Sequence, residues 1–397
     1  MGSGPGAHSV RREVAASVFV AALCATLVCA WWSLTVRFNF QGNWTALYCT
    51  GSRMAQPPAL ADEKIYLFHD GFGYDGQAYH YIAHDPWMRR GFARFVDAPR
   101  FRYRRILVPA LAWLLATGQD RFVDRAYLGV FLAFVMLGAY ATSRVASSYG
   151  LSPAWGLGFL LGPPVLVSID RLTVDAALAA LCAAFALLAR RGPSPMLWLV
   201  LAAAPLARET GVLLLAGYCA YLLLRRQVRV AALYATALVP VAAWNVFVNL
   251  TTNVETKSYI GAIPLSGFLQ RLFHPQAQPF GPVLLWTATT LDYLALFAVA
   301  AAAVWVIRAV MRGDRTPLTM AALAFVVLAV FLDNADAWYG VFDFGRTLGP
   351  LVLLVALTAP RLRSMVLVAP MLLTDLRIGL QMGREIMGIV SALLPRG

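Results

Sequence analysis

From Val14 to Ile378 the chain is a succession of apolar runs, about 12 to 30 residues each, with its charges gathered in the gaps between them. A helix needs about 20 predominantly apolar residues to cross a bilayer core. Lipid offers the backbone no hydrogen bonds, so each crossing must satisfy its own peptide groups as a helix. The pattern confines the chain to an all-α, polytopic transmembrane bundle. Composition agrees: 60% of the 397 residues are hydrophobic and 13% are charged, against about 25% charged in a soluble domain.

The net charge of +13 raises the question of nucleic acid. Its distribution answers against it. Lys64 and Lys257 are the only lysines, and the arginines sit largely at the ends of apolar runs. That is the positive-inside pattern of a membrane protein. Arg11 and Arg12 precede a first span over Val14 to Leu34 and hold the N-terminus in the cytoplasm. Trp31 and Trp32 read as an interfacial belt at its far end. The run exceeds a signal-peptide core and no small-residue cleavage site follows, so it is expected to be retained.

Further spans are expected over Ala126–Ser143, Ala154–Ser168, Leu172–Ala189, Met196–Ala207, Gly211–Leu224 and Val230–Val248. Pro282–Met311, Leu318–Leu332, Thr347–Thr358 and Met365 to about Ile378 complete eleven. Pro163, Pro164, Pro205 and Pro240 are expected to kink them. The inner loops then carry Arg144; Arg190 and Arg191; Arg225, Arg226 and Arg229; Arg308, Arg312 and Arg315; and Arg361 with Arg363. Asp314 is their only acid. Counting the apolar stretch Ile106 to Thr117 as a crossing inverts all five loops and breaks the rule, so it is expected as a short interfacial helix on the outer side. The chain reads as one membrane domain over 1–397, with a first outer loop over about 37–125. No internal repeat or soluble domain is visible. The five cysteines offer no disulfide framework: four lie inside apolar runs and Cys49 has no loop partner.

In this topology nearly all carboxylates fall on the outer side. Asp62, Glu63, Asp70, Asp75, Asp85 and Asp97 are in the first outer loop, followed by Asp120 and Asp124. Asp170, Asp175 and Glu209 lie at span ends, and Asp333, Asp336 and Asp343 in a later loop. Arg171, Arg208 and Arg346 stand beside them. Ionisable groups are costly at a membrane boundary, so their one-sided clustering points to a water-filled functional cavity. Solvated loop charges are the competing account for any single residue.

The stretch GFGYDGQAYHYIAHDP, Gly71 to Pro86, is the most informative. Asp75 follows a Gly-rich turn and opens a short helix. It reads either as an N-cap or as a carboxylate at the cavity mouth acting as general base. His80 and His84, four apart, share a face. With Asp85 they have the residue types for a divalent metal, although Tyr79, Tyr81 and Trp87 suit an aromatic interfacial helix better. The second stretch, RFRYRRILVPALAWLLATG, places four arginines before an apolar segment. They either snorkel to headgroups or, through Arg104 or Arg105, bind an anionic phosphate. APLARETG and FDFGRTLGP put Arg208 and Arg346 at outer span ends, where an arginine suits a lipid phosphate better than it suits orientation. No P-loop, dinucleotide fingerprint, zinc-protease helix or serine elbow occurs.

The stretches GYDGQAYHYIAHDP and RYRRILVPALAWLLA, with SIDRLTVDAALAAL and LARETGVLLL, resemble those of bacterial GT-C-like proteins, of the GT-C superfamily of integral membrane glycosyltransferases. The plan is also similar: a first span, a large outer loop with juxtamembrane helices, then a bundle with charges at its outer face. The resemblance implies transfer of a sugar from a polyprenyl-phosphate donor to a glycan or lipid acceptor of the cell envelope. It implies a plasma (bacterial inner) membrane protein with its site on the periplasmic side. Asn39, Gln41 and Asn43 stand where better-known branches carry a carboxylate, which leaves Asp75 as the catalytic base. Arg346, Arg208, Arg104 and Arg105 are the implied donor-phosphate ligands. Tyr74, Gln77, His80, Asp170, Arg171, Asp175 and Glu209 are implied in the substrate pocket. The chemistry is inverting and needs no cofactor, with a divalent metal at His80, His84 and Asp85 as a lesser option. A non-catalytic lipid-binding or transport protein is the alternative. Transporters often show two related halves, which are not seen.

Overall fold

A computed structural model describes residues 5–252, 259–275 and 281–394. Among them almost everything regular is helical. The exceptions are a two-residue parallel pairing of Thr50–Gly51 with Leu67–Phe68 and an isolated bridge between Ile260 and Leu332.

Five helices are long and apolar enough to cross a bilayer: Arg11–Asn39, Asp120–Ser147, Val228–Thr251, Pro282–Met311 and Met365–Leu393. A bent pair, Val341–Thr347 and Gly349–Leu362, meets at 55° and makes a sixth if taken as one crossing. Asp175–Ala189, Pro195–Ala207, Glu209–Leu224 and Pro317–Phe331 are apolar but shorter. Large apolar side chains point outward from the long helices, with Phe19, Leu250, Val283 and Trp286 between 68% and 82% exposed. Such a continuous apolar exterior is what lipid, not water, would cover. The protein is an all-α bundle of membrane-protein character, with five or six helices long and apolar enough to cross a bilayer.

The expected runs do not all become continuous helices. The stretch 154–168 divides into a 3-10 helix, Pro153–Leu161, and an α-helix, Pro163–Arg171, with Gly162 extended between them. Pro163 and Pro164 have no N–H to continue a helix but are well suited to begin one. Proline and a side-chain cap also start two short helices. Ser194 Oγ accepts from Leu197 N–H ahead of Pro195, and Thr316 Oγ1 accepts from Thr319 N–H ahead of Pro317. Trp32 corrects another expectation. It is buried against Phe131, and its indole N–H donates to the carbonyl of Ile169 at 2.8 Å, so it packs in the bundle and is no interfacial belt.

The stretch 40–119, between the first two long helices, folds onto one end of this bundle. The expected short helix spans Asp75–His84, and the arginine cluster leads into the nine-residue helix Leu107–Leu115, too short to cross. Two glycines set the first of these. Gly73 has φ +79°, open to glycine at little cost. A Cβ on Gly76 would lie 2.2 Å from the carbonyl oxygen of Arg171, so only glycine lets the helix approach the Pro163–Arg171 end this closely.

The 28-residue helix Asp120–Ser147 is about 42 Å long at 1.5 Å per residue. Its start meets the Asp75–His84 helix. Past its other end, Tyr149 shares a recess with Arg190, Thr316 and Arg361, where Arg361 pairs with Asp314. The basic loops and the carboxylate-rich loops thus occupy opposite ends of the bundle.

Candidate functional site

At the carboxylate-rich end lies a cavity of about 710 Å³. Five guanidinium groups line it: Arg102, Arg104, Arg105, Arg208 and Arg346. Asp75, Glu209, Asp336 and Asp343 share its wall, so the charges almost balance. Val212, Leu213, Leu328 and Leu332 make an apolar side to the same space.

Asp75 is the first residue of its helix, and Tyr74 holds the cap position without a side-chain cap bond. The N-cap reading of Asp75 is thereby corrected. Its carboxylate faces arginines and does not fold back on the helix. Oδ2 lies 2.6 Å from Arg346 Nη2, 2.8 Å from Arg102 Nη1 and 3.9 Å from Arg105 Nη1. Burial pushes this carboxyl's pKa up, but Arg102, Arg346 and Arg105 outweigh burial and hold it well below the ordinary 3.8. Asp75 is therefore ionised at any physiological pH.

Arg346 is the hub. Its Nε donates to Asp175 Oδ2 at 2.8 Å, its Nη1 to the Tyr74 hydroxyl at 2.7 Å and its Nη2 to Asp75. Asp175 opens the helix Asp175–Ala189, where the helix N-terminus favours a carboxylate. It also pairs with Arg208, whose Nη2 donates to Thr347 Oγ1 at 2.8 Å. Arg208 is placed by a break. The helix ends two residues after Pro205, and Arg208 is extended, with φ −156° and ψ 142°. Arg105 forms a bidentate pair with Glu209, both bonds 2.7 Å, and donates to the Tyr79 hydroxyl at 2.9 Å. Among the described residues, Arg104 is the one lining arginine without a carboxylate partner. It reaches only Asn249 Oδ1, at 3.2 Å.

Of the residues singled out from sequence, Asp75, Arg346, Arg208, Arg104, Arg105 and Glu209 line the cavity. Tyr74 and Asp175 stand behind the wall and hold Arg346. The rest lie elsewhere. Gln77 is a scaffold residue, accepting from Gly51 N–H and donating to the carbonyl of Phe72. Asp170 pairs with Arg171, which stacks over Tyr74 at 4.4 Å and so supports the wall without lining it. His80 faces away from the cavity, toward His84, Glu63 and Asp124. Asp85 takes no part in that group. It accepts the backbone N–H groups of Arg89, Arg90 and Phe92 and shapes the turn after the helix. Arg102, Asp343 and Tyr259 were not singled out, yet they line the cavity.

No family model, curated protein or solved structure matches the chain.

Proposed function

We propose that the cavity transfers a sugar from a polyprenyl-phosphate donor to an acceptor of the cell envelope. The observation that carries this is the cavity's two-sided wall. Guanidinium groups surround a part-buried carboxylate at one side, and aliphatic residues line the other. That combination suits an amphiphile with an anionic head and a hydrocarbon tail.

In this reading Asp75 accepts the acceptor's hydroxyl proton as that oxygen attacks the anomeric carbon. The bond from that carbon to the phosphate oxygen breaks, and the phosphate keeps the electron pair, stabilised by arginine. Arg104, with no carboxylate to leave, is the first position for the phosphate. Arg346 and Arg208 already hold carboxylates, so a phosphate must share or displace them. Drawing Arg346 or Arg102 toward the phosphate would loosen its hold on Asp75 and make that carboxylate a stronger base. Donor binding would then switch on the base.

The site sits on the periplasmic face of the inner membrane in this proposal, with the N-terminus in the cytoplasm and eleven crossings in all. Several of those crossings are the shorter or broken apolar segments. A cysteine introduced at position 97 should be labelled from outside; labelling from inside would reverse the arrangement.

One observation favours a second reading. With three guanidinium groups within 4 Å, Asp75 is a weak base until one moves. A protein that only binds lipid-linked phosphate would need nothing more. Labelled polyprenyl-phosphate sugar given to the purified protein separates the two. Turnover that falls by about 10²–10⁴-fold in Asp75→Asn supports the transferase. Saturable binding without turnover supports the binder, and neither would remove both.

A further inference from the structure

The second concentration of titratable groups lies on the other face of the Asp75–His84 helix. At 3.6 residues per turn, His80 and His84 are about 140° and 180° around the helix from Asp75. Both imidazoles are buried, with side chains 0% exposed. Around them stand Glu63, from the turn Pro58–Glu63, and Asp124, from the first turns of Asp120–Ser147. One ligand atom from each of the four residues lies within 4.8 Å of every other.

The spacing is regular. His80 Nε2 is 3.4 Å from Glu63 Oε2 and 3.0 Å from Asp124 Oδ1. His84 Nε2 is 3.5 Å from Glu63 Oε1 and 3.9 Å from the same Asp124 oxygen. Four ligands at tetrahedral corners, bonded at about 2.0–2.1 Å, lie about 3.3 Å from one another. The four histidine–carboxylate separations, which involve a different Glu63 oxygen for each histidine, bracket that value, and all pairs lie within 4.8 Å.

A second observation points the same way. His80 Nε2, His84 Nε2, Glu63 Oε2 and Asp124 Oδ1 are buried and make no hydrogen bond. Buried polar atoms normally have partners. Here four such atoms converge on one point, close enough for ion pairing yet not aligned as donor and acceptor, and a cation among them would satisfy all four. Beyond them, His84 Nδ1 is 2.8 Å from Asp120 Oδ1, and Arg90 holds Asp120 through two bonds of 2.7 Å. A carboxylate on the outer ring nitrogen fixes the tautomer that leaves Nε2 free to ligate.

We propose that Glu63, His80, His84 and Asp124 form a tetrahedral Zn2+ site that ties the Asp75–His84 helix to the Asp120–Ser147 helix and to the Pro58–Glu63 turn. Two imidazole nitrogens and two carboxylate oxygens suit zinc over calcium or magnesium, which take mainly oxygen. The two carboxylates cancel the ion's charge, as a buried site requires. All four positions come from protein, which marks a structural rather than a catalytic centre. The site fixes the helix that carries Asp75, and it stands whether or not the cavity transfers sugar.

The full chain, purified in detergent without a histidine tag and stripped with EDTA, should be returned to Zn2+, desalted and measured by elemental analysis. One zinc per chain is expected. Asp124→Asn and His84→Gln should retain at least tenfold less at equal free zinc, while the exposed Asp62→Asn retains it all. Asp120→Asn, which touches only the outer nitrogen, should weaken zinc affinity by about 10–100-fold. Wild-type protein loaded with Co2+ should give the intense visible bands of tetrahedral cobalt, a reading that needs no variant to fold. Less than a tenth of an equivalent of zinc on the wild type, an octahedral cobalt spectrum, or undiminished uptake by Asp124→Asn would each overturn the site. The histidines would then be simple ion-pair partners of the two carboxylates.

Discussion

Arg346 and Asp75 lie 271 residues apart in the chain and are joined by a hydrogen bond of 2.6 Å between Nη2 and Oδ2. The same guanidinium reaches Asp175 and the Tyr74 hydroxyl. One side chain thus locks the helix Asp75–His84 to the start of the helix Asp175–Ala189. Planar, forked donors make this possible, and lysine, a single charge point, cannot span all three acceptors.

Arg346→Lys should therefore fail to restore what Arg346→Ala loses. Each charge-assisted hydrogen bond removed is worth about 1.5–3 kcal/mol. Both variants should unfold at lower temperature than wild type and use the donor at least several-fold less well. Thermal unfolding and transfer rate, read on the same preparation, test this. A lysine variant with wild-type values in both would leave Arg346 as a charge and nothing more.

Arg104 should behave differently. It lines the same cavity but holds only Asn249. Arg104→Ala is expected to stay within about 0.5 kcal/mol of wild-type stability, as substitutions away from structural networks usually do. Donor affinity should nevertheless fall several-fold, with the half-saturating donor concentration moving more than the maximal rate. Equal donor saturation curves for the variant and the wild type would take the phosphate away from Arg104.

The acid limb of stability follows from Asp75. Its folded carboxyl titrates below the ordinary 3.8 because Arg102, Arg346 and Arg105 overcome the effect of burial. A group with a depressed folded pKa contributes stability above its unfolded value, and that contribution is lost as pH falls through the folded one. Neutral and mildly acidic buffers should therefore show the full contribution, with the loss confined to pH below about 4. Asp75→Asn should be less stable than wild type at pH 7, and the gap should close as the pH drops through that window. A gap that stays constant with pH would mean the carboxylate's charge contributes nothing to the fold.

Six of the cavity residues were legible because their signals are local. Asp75 sits in a Gly-flanked turn, and Arg104, Arg105, Arg208, Glu209 and Arg346 stand at the ends of apolar runs. Arg102 was passed over because RFRYRR offers four arginines and no periodicity to choose among them. The short helix Pro99–Arg102 decides which one turns to Asp75. Glu63 and Asp124 had no local signal as partners of the histidines. They come from separate elements that only the folded bundle brings together, whereas the adjacent Asp85 looked plausible and is spent on backbone N–H groups. Of the eleven expected spans, five or six are single helices or a bent pair long enough to cross, for a related reason. Apolar length says where lipid or core can lie, but a Gly-Pro-Pro break decides whether one helix runs through it. Asp292, a carboxylate within the apolar run 282–311, was passed over, because its partners Arg271 and Arg377 are brought to it only by the fold.

That carboxylate gives the sharpest stability test away from the cavity. Asp292, in the helix Pro282–Met311, has a side chain 1% exposed, between Arg271 Nη2 at 3.5 Å and Arg377 Nε at 3.4 Å. It also accepts the backbone N–H of Val341 at 3.4 Å, tying down the short helix that carries Arg346. Removing one partner of a buried ion network strands the others, at a cost of about 3–5 kcal/mol. Asp292→Ala strands two guanidinium groups at once and should sit at or above that range. Replacing all three with apolar residues of similar size, as Arg271→Met, Asp292→Leu and Arg377→Met, strands none. Such exchanges are often neutral or stabilising. The triple variant should therefore unfold at a higher temperature than Asp292→Ala in the same detergent. If the single variant melts with the wild type, the two arginines reach water or headgroups and the network is not buried in the working protein.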